Sequence, residues 1–150
     1  MAGINQIYKQ EPLFLINRMY LLDTNICIYI INKRSENIIS IFENMNQCEI
    51  KISAVTVAEL EYGASKSQYQ DRNRRALLGF VLPFEILTFD DYDAEMFGLL
   101  RAYLEKKGQI IEPYDMQIAA QALCKRLILV TNNVREFERI PELRVENWVV

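Results

Sequence analysis

Two short segments, Tyr20–Leu22 and Leu127–Val130, are apolar at every position. A strand of that kind needs cover on both of its faces. Further strands are predicted at Ile50–Ala54, which alternates, at Ile86–Phe89 and at Val145–Val149. Helix-forming stretches lie between them. Asp23-Thr24-Asn25 opens one that runs to about Asn32, and Ser35 caps a second with Ile38, Ile39, Ile41 and Phe42 on its apolar side. Thr56-Val57-Ala58-Glu59 begins a third, Asp71–Leu82 forms a fourth, and Asp91 caps a long fifth that Gly108 ends. Pro113 opens a sixth that runs to about Arg126, and Val134–Arg139 is a short seventh. Strands alternating with helices predict an α/β fold of three layers, a central parallel β-sheet flanked by helices on both faces.

At 150 residues the chain fits one domain with a sizeable core. Residues 1–18 show neither caps nor clear periodicity, and they are read as a leader or extension before a domain spanning 19–150. They lack the basic start, long apolar centre and small-residue cleavage site of a secretory signal. Nowhere does an apolar run approach the ~20 residues of a membrane helix, so no membrane is expected. Cys27, Cys48 and Cys124 are odd in number and far apart, which suits reduced thiols in a cytoplasmic protein. The net charge of -3 does not advertise a nucleic-acid binder, although local basic surface and bound cations decide such contacts.

The chain contains no histidine. Ser-His-Asp and Cys-His catalysis and every histidine-liganded metal site are thereby excluded. Carboxylates must carry any chemistry, through a cation that prefers oxygen ligands. Neither a dinucleotide-binding nor a P-loop glycine pattern is present. Asp23 follows the first strand, Glu59 lies one turn into the helix after the second, and Asp115 opens the helix before the fourth. Open parallel sheets bind ligands beyond the carboxyl ends of their strands, so Asp23 and Glu59 should face one crevice. Each acid also has an ordinary structural use. Asp23 or Asn25 would cap a helix, Glu59 would close a capping box with Thr56, and Asp115 would favour a helix N-terminus. Lys66, Arg72, Arg74 and Arg75 form the densest basic cluster, either a solvated helix face or a surface for phosphates.

Three runs together resemble the PIN-domain ribonucleases, and more narrowly the VapC-type toxins of bacterial toxin–antitoxin pairs. They are Tyr20-Leu21-Leu22-Asp23-Thr24-Asn25, Ile52 to Leu60, and Pro113-Tyr114-Asp115-Met116-Gln117-Ile118-Ala119-Ala120. Val130-Thr131-Asn132-Asn133 with Glu136-Phe137, and Glu146-Asn147-Trp148, extend the likeness from Met19 to Trp148. The resemblance implies an endoribonuclease dependent on Mg²⁺ or Mn²⁺, with Asp23, Glu59 and Asp115 at the acidic positions. Many relatives carry another acid near Thr131-Asn132-Asn133. Asparagines stand there in this chain, which makes Glu136 the candidate for an extra carboxylate. Thr24, Asn25, Thr131 and Asn132 are expected to support the site, with Thr24 or Asn25 holding Asp23 and capping the helix.

The resemblance also implies tRNA as substrate, at the anticodon stem-loop of initiator tRNA. It implies a VapB-type antitoxin as partner, seated in a groove of its own and reaching the acids with a basic side chain. Operator DNA would be met only through that antitoxin. A homodimer is expected from apolar residues left exposed among Ile28, Tyr29, Ile31, Ile38, Tyr62 and Tyr69. Two positions depart from the pattern. Glu112 and Glu142 stand where relatives commonly have glycine, which points to positive φ, and Glu112 adds a charge near Asp115. A catalytically weakened PIN module acting through antitoxin binding and operon repression, or a housekeeping PIN nuclease, are the competing readings.

Overall fold

The computed structural model describes residues 18–150, so nearly all of the 1–18 extension lies outside the described residues. Five strands form one sheet: β1 (Tyr20–Leu22), β2 (Ile50–Ser53), β3 (Glu85–Leu87), β4 (Ile128–Val130) and β5 (Val145–Glu146). Their order is β3-β2-β1-β4-β5 and every pairing is parallel. In register, Tyr20 stands beside Ile50 on one side and Ile128 on the other, and Leu22 beside Ile52 and Val130.

Strand pleating sends alternate side chains to opposite faces, and the core divides accordingly. Tyr20, Leu22, Ile50, Ile52, Ile128 and Val130 pack on one side. Their cover is α1 (Thr24–Ile31), α2 (Glu36–Glu43), α3 (Ala54–Lys66) and α4 (Gln70–Val81). Trp148 closes that side, its ring 5.3 Å from that of Tyr20. Leu21 and Leu129 face the other way. There they meet α5 (Asp91–Lys106), α6 (Pro113–Cys124) and α7 (Val134–Phe137). Both faces of β1 and β4 are fully buried, as their uninterrupted apolar sequence requires.

Several local expectations are corrected. The third strand is Glu85–Leu87, one residue earlier than expected, and the fifth stops at Glu146. Both are edge strands that pair on one side only. The long helix is capped by Asp90, not Asp91, in a reciprocal box with Asp93. Ile38 is fully buried and leaves the list of exposed apolar residues. Helices α1, α5 and α6 all end in the same closure, a residue at positive φ followed by a backbone bond back five residues. Gly108 suits that role after α5, whereas Lys33 after α1 and Arg126 after α6 adopt it without being glycine.

Candidate active site

Strand order reverses beside β1, because β2 and β3 extend to one side while β4 and β5 return to the other. The crevice beyond β1 and β4 is where such sheets bind ligands. Asp23 leaves β1 at that point. Its backbone N–H donates to the Val130 carbonyl at 3.0 Å, and Oδ1 accepts the Ile26 N–H at 2.9 Å, which makes Asp23 itself the cap of α1. The Thr131 hydroxyl, just past β4, donates to the same carboxylate and in turn accepts the Asn133 N–H at 2.9 Å. Thus Thr131 holds Asp23, in place of the expected Thr24 or Asn25.

Thr24 turns to Glu59 instead, its hydroxyl 2.7 Å from Oε1 and 3.4 Å from the buried hydroxyl of Thr56. The capping box expected for Glu59 does not form. Helix α3 starts at Ala54 with Ser53 as its cap, so Glu59 lies well inside the helix and its carboxylate is released toward α1. Asp115 sits in the first turn of α6, whose cap is Glu112, with Glu112 Oε2 accepting the N–H groups of Tyr114 and Asp115 at 3.0 and 3.3 Å. Glu112 has φ −56, so the expected positive φ is absent there. Glu142 does have it, at φ 70.

The electrostatics tie these acids into one cluster. Asp23, only 3% exposed, has its carboxyl pushed up to about 6, first by burial and also by Glu59, against the pull of the Thr131 and Ile26 hydrogen bonds. Asp115 is pushed up to about 7 by burial, then by the charges of Asp23, Glu112, Glu136 and Glu59. A helix N-terminus ordinarily favours an anion, so burial and crowding outweigh the dipole here. None of Asp23, Glu59, Asp115 and Glu136 forms an ion pair among the described residues; the pairs found there join Lys51 to Glu85, Arg74 to Glu61, Arg101 to Glu105, and Lys125 to Asp90 and Asp93.

Repelling oxygen donors without a protein cation are the donor set of a hard divalent ion. Among the described residues no group of three or more acidic or thiol side chains is gathered closely enough to hold a metal ion by itself. An open cluster still fits Mg²⁺, which takes one or two carboxylates and fills its octahedron with water and substrate phosphate.

Of the remaining predicted residues, Glu136 adds its charge to the field at Asp115. Glu136 accepts a short hydrogen bond from Asn133 Nδ2, and Asn132 accepts from Asn147 at 3.3 Å. Asn25 lines a pocket with Asn132 and Asn133. The basic cluster does not act as one face. Arg74 pairs with Glu61, Lys66 lies over the Tyr62 ring, and Arg75 is exposed; only Arg72, stacked on Tyr69, borders a groove that reaches Glu59. Ser53 was given no role by sequence, Thr56 was read only as a capping residue, and Asn133 only as part of the run after the fourth strand. Ser53 did have a legible signal, a hydroxyl residue at a strand's end where a helix begins.

Comparison with known proteins follows this geometry. The family model of the PIN domain matches residues 20–143. The chain is 48% identical over 130 residues to ribonuclease VapC2 of Haemophilus influenzae, across 87% of this chain and 98% of that protein. It is 44% identical over 129 residues to the tRNA(fMet)-specific endonuclease VapC of Salmonella typhimurium, across 86% and 97%. Among solved structures, DNA-bound VapBC of Salmonella typhimurium superposes with a TM-score of 0.83 at 44% identity, covering 87% of this chain and 98% of that one. VapBC2 of Rickettsia felis, bound to a DNA fragment from its promoter, gives 0.81 at 42% identity over the same shares. A parallel sheet with acids gathered at its switch point thus matches a known domain along nearly its whole length. The chain belongs to the PIN-domain family, in the branch of the VapC ribonucleases.

Proposed function

We propose that this protein is an endoribonuclease that works with Mg²⁺ or Mn²⁺ and acts as the toxin of a toxin–antitoxin pair. The observation that carries the reading is the mutual repulsion of Asp23, Glu59, Asp115 and Glu136, none of which forms an ion pair among the described residues. Asp23, Glu59 and Asp115 would hold the ion, with Glu136 as a further carboxylate. When bound, the cation supplies Lewis-acid activation of water and neutralises charge on the phosphate under attack. The chain's own residues supply position. Ile26 N–H and Thr131 fix Asp23, Thr24 fixes Glu59, and the first turn of α6 fixes Asp115. Near neutral pH Asp115 keeps part of its proton and releases it as the cation takes its place.

Transfer RNA is the proposed substrate, at the anticodon stem-loop of initiator tRNA, supported by the tRNA(fMet)-specific relative. A VapB-type antitoxin is the proposed partner, with operator DNA met through it, supported by the DNA-bound VapBC neighbours. Its segment would lie in a 470 Å³ groove where Ile28, Ile31, Leu60 and Leu77 form an apolar floor and Glu59 stands at the edge. A basic side chain of that segment would meet Glu59. Tyr62 and Tyr69, 66% and 55% exposed, are the surface proposed for a homodimer. One observation favours a second reading, a catalytically weakened module that acts through its antitoxin, namely the Glu112 carboxylate set against Asp115. Cleavage of total tRNA in Mg²⁺ decides between them. The expected result is discrete fragments from the parent and none from Asp115→Asn or in excess EDTA; cleavage that survives either change overturns the metal-dependent nuclease.

A further inference from the structure

Helix α1 lines two depressions, with Ile28 common to both. One is the apolar groove above, and the other is a polar pocket of 410 Å³ lined by Asn25, Ile28, Tyr29, Arg34, Asn132 and Asn133. That pocket borders the acids through the backbone. Asn25 lies two residues after Asp23, and Asn132 and Asn133 follow directly on Thr131, whose hydroxyl holds Asp23. Its far side is set by the end of α1. Lys33, at φ 51, donates its N–H to the Ile30 carbonyl at 3.2 Å, and Arg34 donates to the Tyr29 carbonyl at 3.0 Å. The closure ties the backbone of Arg34 to that of Tyr29 and brings both to one pocket.

Asn133 is engaged with Glu136 and Thr131, and the other donors there are largely unspent. Arg34 is exposed, and among the described residues its guanidinium forms no hydrogen bond or ion pair. The Asn25 carboxamide likewise has no partner, and Asn132 keeps its amide N–H groups free, because its Oδ1 alone is engaged. A guanidinium fork, an aromatic ring and free carboxamides are what an unstacked nucleotide requires: phosphate on arginine, ring on ring, base edge on amide. Around a site whose other charges are acidic, an uncompensated arginine is where an RNA backbone gains attraction.

We propose that this pocket is a nucleotide subsite, holding the RNA residue next to the scissile phosphate with Arg34 on a phosphate and Tyr29 against the base or ribose. It rests on the ribonuclease reading. The other groove has the apolar floor and suits a protein segment, so substrate and antitoxin would occupy different depressions along α1.

The test measures binding of fluorescently labelled total tRNA across a KCl series at fixed Mg²⁺, in the cleavage-silent Asp115→Asn protein, with and without Arg34→Gln or Arg34→Lys. Arg34→Gln should weaken binding roughly tenfold and flatten the slope of log K against log salt by about 0.7, one phosphate contact on a single strand. Arg34→Lys should keep the slope. In the active protein Arg34→Gln should raise KM with kcat and melting temperature unchanged. Equal affinity, slope and KM in Arg34→Gln and parent would overturn the subsite, even if that variant has lost antitoxin affinity. Should the parent cleave no tRNA, the ribonuclease reading fails on its own, and the salt slopes still decide whether Arg34 meets phosphate.

Discussion

Asp23→Asn should make the metal-free protein more stable, and only above about pH 6. The carboxyl of Asp23 is raised from its ordinary 3.8 to about 6, chiefly by burial. Each unit corresponds to 1.36 kcal/mol, so the buried charge opposes folding by about 3 kcal/mol at alkaline pH. Asparagine retains the oxygen that accepts the Ile26 N–H, and it caps helices about as well as aspartate. It introduces an amide N–H pair into a site built of acceptors, and a buried unpaired donor costs about 1–3 kcal/mol. The net is a gain of roughly 1 kcal/mol, or about 3 °C in Tm for a domain of this size.

The sign with pH follows from the direction of the shift. Because the folded-state value lies above the unfolded one, the native parent binds the extra proton between about pH 4 and 6. Its stability from this group is complete below that window and is lost as pH rises through about 6. Calorimetry in EDTA at pH 5 and pH 8 reads the effect: little or no advantage for Asp23→Asn at pH 5, and the full advantage at pH 8. Adding Mg²⁺ at pH 8 should then favour the parent, since a ligand that binds only the native state raises its Tm. An Asp23→Asn protein whose offset from the parent is the same at both pH values would refute this account of a charge buried for a cation.

Two other substitutions follow from the loops. Glu112→Gln keeps an acceptor for the Tyr114 and Asp115 N–H groups and removes a charge that raises Asp115, so the acidic limb of the tRNA-cleavage rate against pH should move to lower pH; an unmoved limb would show that Asp115 does not feel Glu112. Glu142→Gly relieves a left-handed backbone worth about 1–2 kcal/mol and deletes Glu142 Oε2, which is buried without a partner, while the looser unfolded chain takes back up to about 1 kcal/mol, and calorimetry should show Tm up by about 2 °C.

The fold was readable because β1 and β4, at the middle of the sheet, are short, apolar at every position and separated by helix signals. Tyr20–Leu22 could not have been an exposed edge, and it stands in the middle of the sheet. The edge strands were less legible. Ile86 is half-exposed and Val145 partly buried, so pattern gives way to tertiary pairing in setting their ends. Caps misled where several polar residues compete. Thr56 and Glu59 fit a capping box in sequence, yet the helix begins earlier at Ser53, and this shift is what frees Glu59 for Thr24. The glycine argument succeeded at Glu142 and failed at Glu112, because φ depends on the loop's path and not on the residue that occupies it. Arg34 left no mark in the sequence, since only the backbone closure after α1 brings it to Tyr29.

A chain without histidine lacks the one side chain that ordinarily changes charge near pH 7. Here crowding substitutes for it. Asp115 reaches about 7 because burial and four neighbouring carboxylates all oppose its ionisation, and among the described residues it has no ion-pair partner. That arrangement is unfavourable in isolation, and the fold sustains it because its acids are attached to well-buried elements. Asp23 follows a strand with no exposed residue, and Asp115 lies in the first turn of a helix whose residues Met116 and Ile118 to Leu123 are all buried. Rigid attachment prevents the carboxylates from relaxing apart, which would return each to an ordinary value and remove the affinity proposed for a cation. Loosening the packing beneath Asp115, as Met116→Ala would, should therefore weaken the proposed metal binding as well as stability, read as a smaller rise in Tm on adding Mg²⁺, although Met116 lies on the core side of the helix and offers no ligand atom to the ion.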